Sequence, residues 1–187
     1  SLVTLDTGLA STLARQINDV GKQAFAFGTI ASSSMNKPDA GLAWLNTLPQ
    51  GTNRFMAVQS AMYALAQKNP ARALAYTTNI ANVELRSQVT VKAISGWSQR
   101  EPALAMKSVL QMPEGETRTK CLVATITRWT AQDPDGAAAL LDGIRPADTQ
   151  QQAIKAFFDT TRYRNPRLAA EWMFRLDEET TRRYGVS

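Results

Sequence analysis

Basic side chains recur at a fixed spacing along this chain of 187 residues. They form what we call the basic ladder: Lys22, Arg54, Arg86, Arg118 and Arg182. Neighbouring members lie 32 residues apart, except that Gln150 takes the place between the last two. A guanidinium donates hydrogen bonds in a planar fork that suits carbonyls, carboxylates and phosphates. The spacing therefore predicts either a structural contact repeated in each unit or a binding stripe with one positive charge per unit.

Side chains for acid–base, nucleophilic or metal chemistry are scarce. The sequence has no histidine and one cysteine, Cys121. This composition excludes histidine-dependent catalysis, histidine or multi-cysteine metal sites, and an internal disulfide. Cys121 also occupies a repeat position held elsewhere by Ala57, Val89 and Ala153, which is typical of a core residue. We therefore predict that the chain has no enzymatic activity, no cofactor and no metal site.

Prolines supply the clearest sign of a repeat. Five of the eight follow one another at 32-residue intervals: Pro38, Pro70, Pro102, Pro134 and Pro166. Proline is favoured at the first position of a helix, where its missing N–H costs nothing. The residues before three of them, Asn69, Asp133 and Asn165, are good helix N-caps. Each of these prolines is therefore expected to begin a helix.

A second helix is expected in each unit. Breaker residues follow the first helix in two units, at Pro49–Gly51 and Pro113–Gly115. The second helices are predicted to begin near Thr52, Glu84, Thr117 and Thr149. In the first of these, four apolar residues have the spacing i, i+3, i+4, i+7 of a helix buried on one face: Val58, Ala61, Met62 and Leu65.

Repeated helical hairpins predict an all-α fold, a right-handed α–α superhelix (a solenoid) of about five to six hairpins in one domain, 1–187. Its predicted repeats are 5–36, 37–68, 69–100, 101–132, 133–164 and 165–187. The first is degenerate, because Lys22, Ala26 and Ile30 fit the 32-residue offset while its first helix needs a shift of one residue. The last is truncated, which predicts end-to-end self-association through that repeat.

Aromatic residues also recur at fixed repeat positions. Trp44, Tyr76 and Trp172 share a position in the first helix, and Trp97 and Trp129 share one in the second. Recurrence at one position of a repeat favours packing between neighbouring units. The alternative is a platform on which a ligand stacks.

The repeats resemble helical-hairpin solenoids of the tetratricopeptide and HEAT-like families. The segment 38–54, with its Trp-Leu, Leu-Pro-x-Gly and Arg elements, and the junctions 97–102 and 129–134 are more similar to tandem repeats of many uncharacterised bacterial proteins. The resemblance covers 37–187. It implies a bacterial helical solenoid and carries no catalytic residues.

The charge balance adds a weak indication about partners. The formal net charge is +5, which favours acidic partners such as nucleic acid, an anionic envelope polymer or an acidic protein. No apolar run approaches the roughly 18 residues that would predict membrane insertion. No signal peptide is visible. Because the chain begins at Ser1 rather than Met, both a bacterial cytoplasmic location and a periplasmic one stay open.

We therefore expect a non-enzymatic scaffold that binds a protein or peptide along its superhelical surface. Two alternatives stay open at this point. The first is binding of nucleic acid or another anionic polymer through the arginines of the basic ladder. The second is an accessory superhelical domain of a larger cell-envelope enzyme.

Overall fold

The computed structural model describes residues 6–172 and 174. Within that range all regular secondary structure is helical. The helices are α1 (Thr7–Ala14), α2 (Val20–Ser34), α3 (Pro38–Thr47), α4 (Thr52–Ala66), α5 (Pro70–Thr78), α6 (Val83–Ser98), α7 (Pro102–Leu110), α8 (Glu116–Gln132), α9 (Pro134–Leu141) and α10 (Ala147–Thr161). Residues 166–172 are helical as well.

The first helices begin where the prolines predict. Helices α3, α5, α7 and α9 start at Pro38, Pro70, Pro102 and Pro134, and 166 begins the last helical stretch. The Asn69 side chain accepts a hydrogen bond from the Arg72 N–H at 3.0 Å, and Asp133 caps α9 in the same way. Because proline has no N–H to lose and the cap satisfies a free donor, these starts follow from local chemistry.

Two of the hairpin loops depend on glycine. Gly51 and Gly115 have φ values of 138° and 147°, which side chains other than glycine rarely adopt. Each stands directly before a second helix, α4 or α8. The prediction of loops at these two positions is confirmed.

The chain divides into two compact units, which we call the N-terminal unit (1–100) and the C-terminal unit (101–187). In the N-terminal unit the hairpins are α1–α2, α3–α4 and α5–α6, and their second helices α2, α4 and α6 pack side by side in that order. Helix α6 comes very close to α4 at Gly96, where a Cβ atom would lie 2.1 Å from the Tyr63 carbonyl oxygen. The core of this unit includes Phe27, Leu45 and Met62.

The C-terminal unit repeats the arrangement with the hairpins α7–α8 and α9–α10, and α8 packs against α10. Leu122, Leu141 and Phe157 are fully buried there. Thr119 and Thr149, one hydroxyl from each second helix, approach to 3.2 Å. The predicted fold class, all-α with stacked helical hairpins in a solenoid arrangement, is confirmed, whereas the assignment of one domain to 1–187 stays a prediction.

The first hairpin has a different register from the one expected. Helix α1 begins at Thr7, 31 residues before Pro38, so this unit is one residue shorter than the others. At that offset Phe27 corresponds to Val58 and Gln23 corresponds to Arg54. Phe27 is buried and Lys22 is exposed. Because the first repeat is one residue shorter than the others, Gln23 rather than Lys22 corresponds to Arg54. The predicted alignment of Lys22 with Arg54 is therefore wrong.

Candidate functional site

The ladder arginine of the second hairpin binds the end of its own first helix. Nη1 of Arg54, the third residue of α4, lies 2.9 Å from the Leu45 carbonyl oxygen and 2.8 Å from that of Leu48. The last carbonyls of a helix have no partner within the helix. Arg54 therefore ties α4 to the C-terminal end of α3, which is the local role expected for a structural arginine.

In the first hairpin a glutamine, Gln23, makes the equivalent hydrogen bonds. Gln23 Nε2 donates to the carbonyl oxygens of Arg15 and Ile17, at 3.2 and 3.1 Å. Its Oε1 accepts from Asn53 Nδ2 at 2.7 Å, which links it to the next hairpin. The sequence-based ladder has Lys22 at this end. The structure gives its place to Gln23, whose side chain offers two N–H donors.

In the hairpin 133–164 two residues share the task. Gln150, which is buried, donates to the Leu141 carbonyl at 2.9 Å. Arg145, in the loop before α10, donates through Nη1 to the carbonyls of Asp142 and Ile144 at 2.9 and 2.8 Å. Leu141, Asp142 and Ile144 are the repeat equivalents of Leu45, Asn46 and Leu48, whose carbonyls face Arg54 Nη1. The guanidinium of Arg145 comes from the loop and binds two of these three carbonyls, and Gln150 binds the third.

The remaining ladder positions differ in their contacts. Arg86 Nη1 donates to the Ile80 carbonyl at a longer 3.3 Å. The Arg118 side chain is 11% exposed and pairs with Glu114 at 3.5 Å, while its Nε is buried without a hydrogen-bond partner. Arg182 lies outside the described residues, and so does most of the last repeat, to which the prediction of end-to-end association refers.

Two aromatic residues of the first helices reach back to the preceding hairpin. Trp44 donates from Nε1 to Ser11 Oγ at 3.0 Å and stacks on Phe27 with ring centroids 6.4 Å apart. The Tyr76 hydroxyl donates to Asn46 Oδ1 at 3.3 Å. Burial raises the pKa of Tyr76, and the nearby charge of Arg54 offsets part of that rise. These contacts are typical of packing between neighbouring repeats.

The other recurrent aromatics are also partly or fully buried. Trp172 is 6% exposed and packs edge-on against Phe157, with centroids 5.9 Å apart. Trp97 packs against the core of the N-terminal unit. Trp129 is half-buried, and its Nε1 lies beside Gly136 at the start of α9.

Cys121 lies in the core of the C-terminal unit. Its residue is fully buried, and burial raises the pKa of the thiol to about 12. A thiol with so high a pKa is a poor nucleophile at neutral pH. Within residues 6–172 and 174 no three side chains of His, Cys, Asp or Glu come close enough together to hold a metal ion. Among the described helices, none combines the length and the apolar composition that a membrane span requires.

A groove of 360 Å³ lies on the surface of the second helices of the N-terminal unit. We call it the second-helix groove. Helix α2 contributes Phe25, Gly28, Thr29, Ser32 and Ser33. Helix α4 contributes Met56, Gln59, Ser60 and Tyr63, and α6 contributes Lys92. On both α2 and α4 these residues follow the spacing of one continuous helix face.

The groove combines apolar, hydroxyl-bearing and cationic side chains. Phe25 is 71% exposed at one end, next to Met56 in the equivalent position of α4. Gly28 lies at the base of the groove near its middle, and the absence of a side chain there leaves room for Ser60 Oγ. Lys92 is exposed at the α6 side, and no carboxylate lines the groove among the described residues. This chemistry suits a ligand with both an apolar and an anionic group.

No protein-family model, no curated protein and no solved structure matches this chain. The second-helix groove is absent from the sequence-based predictions, because serine, threonine and glutamine on a helix face are typical of an ordinary solvated surface. Two signals point toward it in retrospect. Phe25 stands alone on an otherwise polar face, and Gly28 lies in the interior of a helix, where glycine is unfavourable unless another element comes close.

Proposed function

We propose that the chain is a non-enzymatic helical-repeat scaffold that binds a protein segment or peptide in the second-helix groove. The observation that carries this proposal is the exposed Phe25 beside Met56 at the edge of a 360 Å³ concavity. Ligand sites are typically concave, largely pre-formed and lined by apolar side chains with a few polar groups. The small residues Gly28 and Ser60 keep the groove open.

The size of the groove favours a short extended segment. Its face on α2 runs from 25 to 33, which at 1.5 Å per residue is about 12 Å. An extended chain spans about 3.3 Å per residue, so about four residues fit along it. Helical repeats commonly offer such surfaces for recognition.

Binding of an anionic polymer through the ladder arginines has less support. The Nη1 donors of Arg54 and Arg86 already face carbonyls of their own hairpins. A phosphate would have to compete with these acceptors. An accessory role in a larger cell-envelope enzyme is compatible with the same groove, and no contact in the described residues favours it over a free-standing scaffold.

A random-peptide phage library panned against the immobilised chain tests the proposal. Synthetic peptides selected on the wild type should bind Thr29→Trp at least about tenfold more weakly, because the indole would fill the groove from an exposed position of α2. Thr127→Trp is the matched control. Thr127 is also exposed and makes the same hydroxyl bond to the carbonyl four residues earlier.

Both variants should keep the helical circular dichroism and melting temperature of the wild type. Equal binding to the wild type and the two variants would contradict the proposed site. Failure to select any peptide above the level of an unrelated immobilised protein would contradict the proposed function.

A further inference from the structure

We propose, on the basis of the proposed function, that the second-helix groove selects acidic peptide segments that carry an aliphatic or aromatic side chain within about four residues of the carboxylate. The apolar side chain would lie against Phe25 and Met56. The carboxylate would pair with Lys92.

Charge complementarity is the first argument. Lys92 is the only charged residue lining the groove in the described part of the chain. The acidic residue two turns earlier on the same face of α6, Glu84, accepts a hydrogen bond from Gln88 at 2.6 Å. Gln88 in turn accepts one from Gln59 at 3.4 Å. The ammonium group of Lys92 therefore faces the groove without a competing carboxylate among its lining residues.

The position of Lys92 relative to the apolar end is the second argument. One repeat back, its equivalent on α4 is Ser60, which lies one helical turn beyond Met56. The cation is thus offset from Met56 by one turn along the helix axis and by one helix across the surface, and Phe25 lies one helix further away. One helical turn of about 5.4 Å and one interhelix distance of about 8–10 Å combine to roughly 10–11 Å, which is within the roughly 13 Å that four extended residues span.

The third argument is the exposure of Phe25. A side chain of this size that is 71% exposed, beside a methionine that can adjust its shape, is a suitable anchor for an incoming apolar group. The hydroxyls of Ser32, Ser33 and Tyr63 lie further along the groove and can donate to peptide carbonyls. The groove therefore offers a partner for each part of such a peptide.

An octapeptide array tests this specificity. One Leu and one Glu are placed at every pair of positions in a Gly-Ser background, with matched spots in which Gln or Lys replaces Glu, or Ser replaces Leu. We expect Glu spots to bind about fivefold more strongly than Gln spots, because a partly exposed ion pair contributes modestly. The preference should weaken as ionic strength rises.

Charge reversal sharpens the test. Lys92→Glu should shift the preference from Glu spots to Lys spots, whereas Lys22→Glu, a reversal at an exposed lysine of α2 outside the groove, should leave it unchanged. Phe25→Ser should abolish the preference for Leu over Ser. Its control, Val83→Ser, removes another apolar side chain, 69% exposed, and should have no effect.

Equal binding of Glu and Gln spots, or no shift in preference with Lys92→Glu, would overturn this inference. If phage-selected peptides still bound in the groove, the proposed function would stand. Failure of every spot, with selected peptides binding, would overturn this inference too. Tighter Lys92-dependent binding of a single-stranded oligonucleotide than of any peptide would show that the occupant belongs to a different class.

Discussion

Replacing Arg54 is the most informative test of how the hairpins are held together. Its Nη1 makes two short hydrogen bonds, 2.9 Å to the Leu45 carbonyl and 2.8 Å to that of Leu48. Both acceptor residues are buried, at 0% and 5% exposure, so water cannot easily replace the lost donor. Hydrogen bonds to a charged group contribute about 1.5–3 kcal/mol each. Allowing for the side-chain entropy that is regained, Arg54→Ala should lower the free energy of unfolding by about 2–4 kcal/mol.

The size of the effect should depend on the donors that remain. Arg54→Gln should cost less than Arg54→Ala, because Gln23 and Gln150 occupy the same repeat position and donate to equivalent carbonyls. Arg86→Ala should cost only about 1 kcal/mol, since its single bond is long at 3.3 Å. Arg167→Ala, at a side chain that is 92% exposed, is the control and should change stability by less than about 0.5 kcal/mol.

Urea unfolding followed by circular dichroism measures these differences, and the melting temperature should fall by about 2–4 °C per kcal/mol. Equal, negligible losses for Arg54→Ala and Arg167→Ala would refute a structural role for the ladder position. In that case the arginines would be free for binding, and the anionic-polymer alternative would become the leading one.

Three further predictions concern packing and reactivity. A double-mutant cycle between Trp44→Phe and Ser11→Ala should give a coupling of about 0.5–1.5 kcal/mol, and zero coupling would exclude the hydrogen bond between them. Gly96→Ala should destabilise the fold by about 1–3 kcal/mol in thermal melts, because its Cβ would meet a carbonyl oxygen of α4 at 2.1 Å. The control, Gly21→Ala in the exposed first turn of α2, should be neutral or stabilising. The same sign of effect for both variants would contradict the close approach of α6 to α4. Cys121, with its pKa raised from 9.0 to about 12, should react with a disulfide reagent at pH 8 at least about 100-fold faster in urea than in the native chain, and similar rates would contradict its burial.

The raised pKa of Cys121 also fixes the sign of a pH effect. The folded state favours the neutral thiol, so its contribution to stability is fully present below pH 9 and is lost as the pH rises toward about 12. Cys121→Ala removes the titrating group. The variant should therefore lose less stability than the wild type between pH 9 and pH 11.

The helix starts could be predicted because proline and an N-cap residue act locally. Pro70 after Asn69 needs no tertiary contact to favour a helix start. The register of the first hairpin could not be predicted in this way, because Thr7 stands where the other units have proline. Lys22 and Gln23 are adjacent, and only the contacts of Gln23 with two carbonyls distinguish them.

The sequence also could not predict that Arg145 and Gln150 together bind the carbonyls at the end of α9. The sequence marks this repeat as an exception, since Gln150 stands where the neighbouring repeats have arginine, but the path of the loop decides which carbonyls Arg145 reaches. The second-helix groove depends on three helices from different hairpins lying side by side. Its lining residues become neighbours only after the hairpins have stacked, so no local pattern predicts it.

Hydrogen–deuterium exchange with a saturating phage-selected peptide tests the central claim most directly. If the chain is a scaffold that binds in the second-helix groove, amide exchange should slow at 25–33 of α2 and at 56–63 of α4, with little change at the loops that the ladder residues contact. Slower exchange confined to 46–54 and 78–86, where the first helices end, would contradict the groove and point to the ladder. Unchanged exchange throughout at saturation would contradict a defined binding surface on this chain.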